Sequence, residues 1–146
     1  MSQHSLAGLI PGHSSLLEAV ELYGTVDRFV ESSGDDRCWF AHFDSFGVHV
    51  TLQWTDKPND LSLIIQEVGV RDGFCNTVWN GLKIGAPAQS AFEFIRSHYT
   101  VLDEFEDSIY FHLDNDLRFV AVAEDRLLGE LVEIALLYES NGYHRG

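Results

Sequence analysis

The sequence predicts an α+β fold of two tandem repeats, each a helical segment followed by an antiparallel meander, with the helices packed on one face of a continuous sheet. Two internal similarities support this prediction. A Gly-Leu-x-x-Gly opening at Gly8 recurs 73 residues later at Gly81, and the WFAHFDS segment from Trp39 resembles IYFHLDN from Ile109 at an offset of 70. A self-similar period indicates a duplicated supersecondary unit. We therefore divide the chain into repeats 1–73 and 74–146, fused into one compact unit.

The second similarity extends further along the chain without a gap. Residues 39–68 and 109–138 share five identities in thirty, and the offset aligns Val50, Leu61 and Ile64 with Val120, Leu131 and Ile134. We expect the aligned positions to be structurally equivalent. The change from 73 to 70 falls at the Ser- and Asp-rich segment 32–36, where we expect a loop.

Each repeat is predicted to begin with a helix. Ser14 or Ser15 is a candidate N-cap, and Gly24 is a candidate end. Between them Leu16, Leu17, Val20 and Tyr23 share one stripe. In the second repeat Pro87 suits a first helical turn, and Phe92, Ile95 and Tyr99 follow at helical spacing.

Three strands are predicted after each helix, rich in Val, Ile, Phe and Tyr and separated by Asp-, Asn-, Gly- and Pro-containing turns. They span 38–45, 46–54 and 61–70, then 108–114, 117–124 and 131–138. Short turns favour antiparallel pairing of neighbours. The segments Val26–Glu31 and Val101–Glu106 are each either a further strand or a second short helix.

Alternation assigns the faces of the first aligned strand of each repeat. Trp39, Ala41 and Phe43 are predicted to face the helices, and so are their counterparts Ile109, Phe111 and Leu113. The opposite face then carries an aromatic residue, a histidine and an aspartate in each repeat, namely Phe40, His42 and Asp44, and Tyr110, His112 and Asp114. The later strands are apolar on both sides, so their faces stay unassigned.

The two His-x-Asp pairs raise the possibility of a metal site or an acid–base pair, provided that they converge. The alternative is that they are polar residues on an open sheet face. The sequence has no phosphate loop, nucleophile elbow, His-Glu-x-x-His or paired-cysteine motif. We expect no catalytic residue, metal or cofactor.

The acidic composition limits the classes of molecule that the protein is expected to bind. The formal net charge is −14, and each half of the chain carries −7, so the acidity is spread evenly. Such a charge repels nucleic acid and anionic membranes and favours a basic partner or simply solubility. With no signal sequence, no apolar span, and two cysteines, Cys38 and Cys75, at non-equivalent positions, we expect a cytoplasmic protein of bacterial type.

The glycine-bounded opening, the short Ser-Leu-Leu-Glu-Ala-Val helix ending at Gly24 and the meander resemble the small-lipoprotein assembly repeat. In tandem, they resemble the β-lactamase-inhibitory-protein architecture. The resemblance implies one continuous sheet whose open concave face grips a protein partner. This sequence departs from the family in having no export signal and no cysteine pair in each repeat.

These observations favour a non-catalytic protein-binding module, most concretely a cytoplasmic inhibitor or immunity protein that neutralises a basic toxin or enzyme, as a monomer or dimer. The predicted partner-binding residues are Phe40, His42, Asp44, Trp54, Tyr110, His112 and Asp114. The alternative is a small-molecule-binding protein or enzyme that uses the cleft between the two repeats.

Overall fold

A computed structural model describes residues 5–32, 37–74, 82–114, 117–124 and 129–138, without the side chains of residues 113 and 114. Its elements follow in this order: α1 (Leu16–Tyr23), β1 (Arg28–Ser32), β2 (Cys38–Phe43), a 3-10 turn (Asp44–Phe46), β3 (Val48–Gln53), β4 (Ile65–Arg71), α2 (Ala88–His98), β5 (Thr100–Glu104), β6 (Ser108–Asp114), β7 (Leu117–Ala123) and β8 (Leu131–Tyr138).

All the described strands form one antiparallel sheet in the order β1-β2-β3-β4-β8-β7-β6-β5. The two central strands come from different halves of the chain, and Val70 of β4 pairs with Ile134 of β8. The first and the fifth strands, β1 and β5, are the two edges. The antiparallel pairing of sequence neighbours that the short turns predict is confirmed.

The predicted fold class, α+β with two tandem helix-plus-meander repeats, is wrong. The structure is 48% strand and only 19% helix, and a single eight-stranded sheet dominates it. Both segments whose class was left open contribute strands, β1 and β5, while α1 and α2 have only 8 and 11 residues. Because β4 pairs directly with β8, the backbone hydrogen bonds run through the middle of the sheet without a break.

The ungapped alignment of the two halves is also wrong beyond β2 and β6. Val50 pairs with Ala41 on the helix-covered side, whereas its aligned position Val120 pairs with Tyr110 on the opposite side. Ile64 is 41% exposed, whereas Ile134 is fully buried. The physical reason is the turn after β2, which holds the 3-10 segment, while the β6–β7 pairing shifts register between His112 and Asp114. A one-residue slip turns a strand over.

The core lies between the helices and one face of the sheet. It combines Leu16 and Ala19 of α1 and Phe92 and Ile95 of α2 with apolar side chains from the strands. The strand residues in this core are Ala41, Phe43, Val48, Val50, Leu52, Ile65, Val68, Val70, Ile109, Phe111, Leu117, Phe119, Ala121, Ala123, Leu131, Ile134 and Leu136. The predicted helix-facing side of β2 is confirmed.

The limits of α1 follow from its end residues. Ser15 is the N-cap, and its side chain accepts a hydrogen bond from the Glu18 amide at 3.4 Å. Gly24 ends the helix at φ 87°, a conformation that favours glycine, and its amide donates to the Val20 carbonyl at 2.8 Å. Leu17 departs from the predicted apolar stripe because its side chain is 43% exposed. Neither described helix is long and apolar enough to cross a membrane.

Candidate functional site

The sheet face opposite the helices is the candidate site, and we call it the open face. A row of paired positions crosses it: Arg28, His42, His49, Gly69, Ala135, Val120, Tyr110 and Asp103. Exposure along this row falls from both edges towards the middle, since Arg28 and Asp103 are exposed, His42 and Tyr110 are half-buried, and the four central positions are buried. The open face therefore has a shielded centre at β3, β4, β8 and β7.

A histidine fills the shielded centre on the β3 side. His49 is only 4% exposed and pairs across the strands with Gly69. A Cβ atom added at Gly69 would lie 2.2 Å from Cε1 of His49, so any larger residue displaces the ring. Glycine is needed here because two groups approach closely, and not because of a left-handed backbone.

Two imidazoles and an ion pair meet around this point. The ring centroids of His42 and His49 are 5.6 Å apart. Oε1 of Glu133 lies 3.2 Å from Nε of Arg71, and Oε2 of Glu133 lies 3.5 Å from Nε2 of His49. Burial, with Arg71 and His42 nearby, lowers the pKa of His49 to about 4. At neutral pH His49 is thus uncharged, and Arg71 is the cation that Glu133 pairs with.

His42 is also held in its neutral form. Burial lowers its pKa first, Arg28 and Arg71 add to that shift, and Asp44 opposes it. A neutral imidazole can ligate a metal or accept a proton. However, the described residues contain no group of three or more histidines, cysteines or carboxylates that could hold a metal ion.

The half of the open face formed by β6, β7 and β8 contains an apolar cluster. Val120, Ala135 and Leu137 are buried there and form a cluster separate from the main core, with Tyr110 and Val122 packed against it. The ring of Phe105, which follows β5, meets Tyr110 edge-on with centroids 5.9 Å apart. We call these five residues of the cluster the apolar patch, namely Tyr110, Val120, Val122, Ala135 and Leu137.

The half near β1 is polar at its rim. Arg28 donates from Nε and Nη2 to the two carboxylate oxygens of Asp44, at 3.1 and 3.2 Å. This guanidinium lowers the pKa of Asp44. Asp27 fixes the same turn, since its Oδ2 accepts from the Asp44 amide at 2.7 Å. Inside this rim Phe40 is half-buried and meets the His49 ring edge-on at 6.5 Å.

Four of the seven predicted partner-binding residues lie on the open face, namely Phe40, His42, Tyr110 and His112. Asp44 lies at its rim, in the 3-10 turn. The side chain of Asp114 is outside the described part of the chain. Positions 42 and 110 lie five strands apart, about 24 Å along the sheet at the usual strand spacing. The structure does not bring the two His-x-Asp pairs together.

The seventh predicted residue, Trp54, lies elsewhere. Its Nε1 donates to Oε2 of Glu31 at 2.7 Å, and the guanidinium of Arg37 lies 4.0 Å from the ring centroid. Glu31 pairs with Trp39, whose side chain packs against the main core. Trp54 is therefore part of a surface cluster on the helix side of the sheet. Trp79 and Cys75 lie outside the described residues.

Sequence reasoning missed the residues at the centre of the open face, among them His49, Thr51, Arg71 and Glu133. The signal was present in β3, where His49, Thr51 and Gln53 alternate with Val48, Val50 and Leu52. Thr51 adds a further feature, because its Oγ1 is buried and has no hydrogen-bond partner among the described residues. Nothing in the sequence indicated that Glu133 would reach β3 and β4.

Comparison of the chain with protein-family models, with curated proteins and with solved structures finds no match. The resemblance to the small-lipoprotein assembly repeat therefore stays a hypothesis without support from relatives. The geometry of the open face is the basis for a functional proposal.

Proposed function

We propose that the protein is a non-catalytic protein-binding module of the cytoplasm, which inhibits or neutralises a basic toxin or enzyme through its open face. The observation that carries the proposal is the apolar patch. It lies on the sheet face opposite the two described helices. Val120, Ala135 and Leu137 are buried in it, and its half-buried members Tyr110 and Val122 are the ones that a partner can contact.

The distribution of polar groups fits an interface. Protein interfaces combine an apolar centre with a polar rim, and aromatic residues supply a large share of their binding energy. Here Tyr110 of the patch meets the exposed ring of Phe105, and a second aromatic residue, Phe40, lies on the same face three strands from β8. The rim carries the Arg28–Asp44 pair.

The charge distribution supports a role in steering. Among the described residues, Arg28, Arg71 and Arg118 lie at open-face positions, and Arg28 and Arg71 form ion pairs with Asp44 and Glu133. The formal net charge of the chain is −14. Such a field accelerates the approach of a basic protein, while apolar contacts hold it.

The first test is copurification from native cytosol, with the wild type compared with the double variant Phe40→Ala/Tyr110→Ala. A specific partner should be recovered with the wild type and lost with the double variant. Leu17→Ala/Leu22→Ala is the matched control, because these side chains are 43% and 53% exposed on α1. Equal recovery with all three proteins, or no partner at all, contradicts the proposal.

The second test uses the recovered partner. Its association rate should fall as salt rises, because the field of a −14 protein is screened beyond about 8 Å at physiological ionic strength. Loss of Phe40 or Tyr110 should act mainly on dissociation. A salt-independent association rate would remove the basic-partner part of the proposal. Protection of cells from a toxin expressed beside this gene would support the immunity role.

A further inference from the structure

We propose that the outer edge of β5 binds a basic, extended segment of another protein, which adds to the sheet as a ninth strand. The proposal does not depend on the proposed function, because it needs only the main-chain edge and the charge of β5, although Asp103 and Phe105 adjoin the open face. Three features of the hairpin β5–β6 support it, namely its position in the sheet, its exposed apolar side chains and its charge.

The position of β5 leaves backbone groups available. It is the last strand of the sheet, and among the described strands it pairs only with β6, from Thr100↔His112 to Glu104↔Ile109. The outer side of an edge strand presents amide and carbonyl groups that another strand can pair with. Recognition by strand addition uses these main-chain groups for affinity and side-chain contacts for specificity.

The apolar anchors lie along the same edge. Leu102 is 37% exposed and Phe105 is 53% exposed. The Phe105 ring is held edge-on against Tyr110, with an interplanar angle of 85°. An exposed aromatic ring in a fixed orientation offers an apolar or cation–π contact at little cost in side-chain entropy. An incoming strand could therefore make one hydrophobic contact with Leu102, just before Asp103 in the chain, and another with Phe105, two residues after it.

The charge of the edge selects the partner. Asp103, Glu106 and Asp107 are exposed, whereas Glu104 is held by Arg96 of α2 at 2.9 and 3.1 Å. A second copy of this chain would set one acidic strand against another, and like charges directly opposite are destabilising. A segment rich in Lys or Arg meets opposite charges instead.

The other edge of the sheet differs in its charge. On β1, Arg28 is paired with Asp44, and Glu31 accepts from Arg37 at 2.8 Å. Both charged side chains within β1 are therefore held in ion pairs. The contrast between the two edges assigns the basic segment to β5.

The probe is an alternating Lys/Val octapeptide with blocked ends, added to ¹⁵N-labelled protein. We expect chemical-shift changes and slowed amide exchange confined to the β5–β6 hairpin. Two peptide controls accompany it: an alternating Glu/Val octapeptide, and the Lys/Val peptide N-methylated at every residue, which keeps the charge but has no N–H donor. Both should bind at least tenfold more weakly.

Two double variants complete the test. Asp103→Lys/Glu106→Lys should reduce affinity for the Lys/Val peptide at least tenfold. Glu18→Lys/Glu21→Lys changes the net charge equally on exposed α1 positions and should retain binding. Three results would overturn the proposal, because each indicates charge attraction without strand addition. The N-methylated peptide could bind as tightly as the Lys/Val peptide, or the chemical-shift changes could spread over the whole acidic surface. The third such result is an equal loss of affinity in both double variants. Absence of binding by the Lys/Val peptide overturns it too.

Discussion

The imidazole of His49 occupies the space into which a side chain at Gly69 would project, since an added Cβ would lie 2.2 Å from its Cε1 atom. The two residues face each other across β3 and β4, at the centre of the open face. This contact couples a buried titratable group to the packing of the sheet. It leads to a prediction on stability and to a second one on pH.

Gly69→Ala should lower the free energy of unfolding by about 1–3 kcal/mol, because the added methyl group overpacks a shielded site and displaces the ring. Urea unfolding monitored by circular dichroism measures the change. The double variant Gly69→Ala/His49→Ala should lose less than the sum of the two single variants, since the clash is then absent. Additive losses would show that the two positions do not interact.

Stability should decrease as pH falls from about 6.5 to about 4. The folded-state pKa of His49 is lowered to about 4, below the unfolded value near 6.5, so the unfolded chain binds the proton first in this range. The contribution of neutral His49 to the free energy of unfolding is complete above the unfolded pKa. It is lost as the pH falls towards the folded pKa, and the total loss is on the order of 3 kcal/mol at most. His42 acts in the same direction.

Unfolding by urea at pH 7 and pH 5 provides the measurement for this window. His49→Gln is the comparison, and it should flatten the pH dependence while His98→Gln, an exposed histidine on α2, should not. An unchanged slope in His49→Gln would mean that other groups cause the acid sensitivity.

Arg71→Met should raise the pKa of His49. Arg71 lowers that pKa through its charge, and its removal also leaves Glu133 without its present cation, 3.5 Å from His49 Nε2. An NMR titration of the ring protons measures the shift. Lys83→Met removes an exposed cation from another part of the chain and should leave the titration of His49 unchanged.

Tyr110→Ala should be more destabilising than Phe40→Ala, although the sequence places them at matching positions. Tyr110 packs against the apolar patch and against Phe105, so its loss should cost on the order of 2 kcal/mol. Phe40 belongs to neither core cluster, and we expect a cost below about 1 kcal/mol. Thermal and urea unfolding of the two variants compare them directly. Equal losses would place Phe40 in a packed cluster as well.

The sequence was most informative where local physics decides the outcome. Caps and glycine limits located α1, and alternation assigned both faces of β2. The one-residue offset between β3 and β7 could not be predicted from the sequence, because it depends on how the turn before each strand closes. Five identities in thirty do not specify those turns. The cluster of His49, Arg71 and Glu133 was missed for a different reason, since it joins three strands whose neighbours in the sheet are set by tertiary pairing.

The pairing of β4 with β8 also has a consequence for how the chain is made. Arg71 and Glu133 pair across these strands although 62 residues separate them in the sequence. During synthesis β4 leaves the ribosome long before β8, so the side of β4 that does not pair with β3 stays open during that interval. Long-range pairing of this kind slows folding and exposes nascent chains to aggregation. A chain stalled before β8 is therefore the form of this protein that most needs a chaperone.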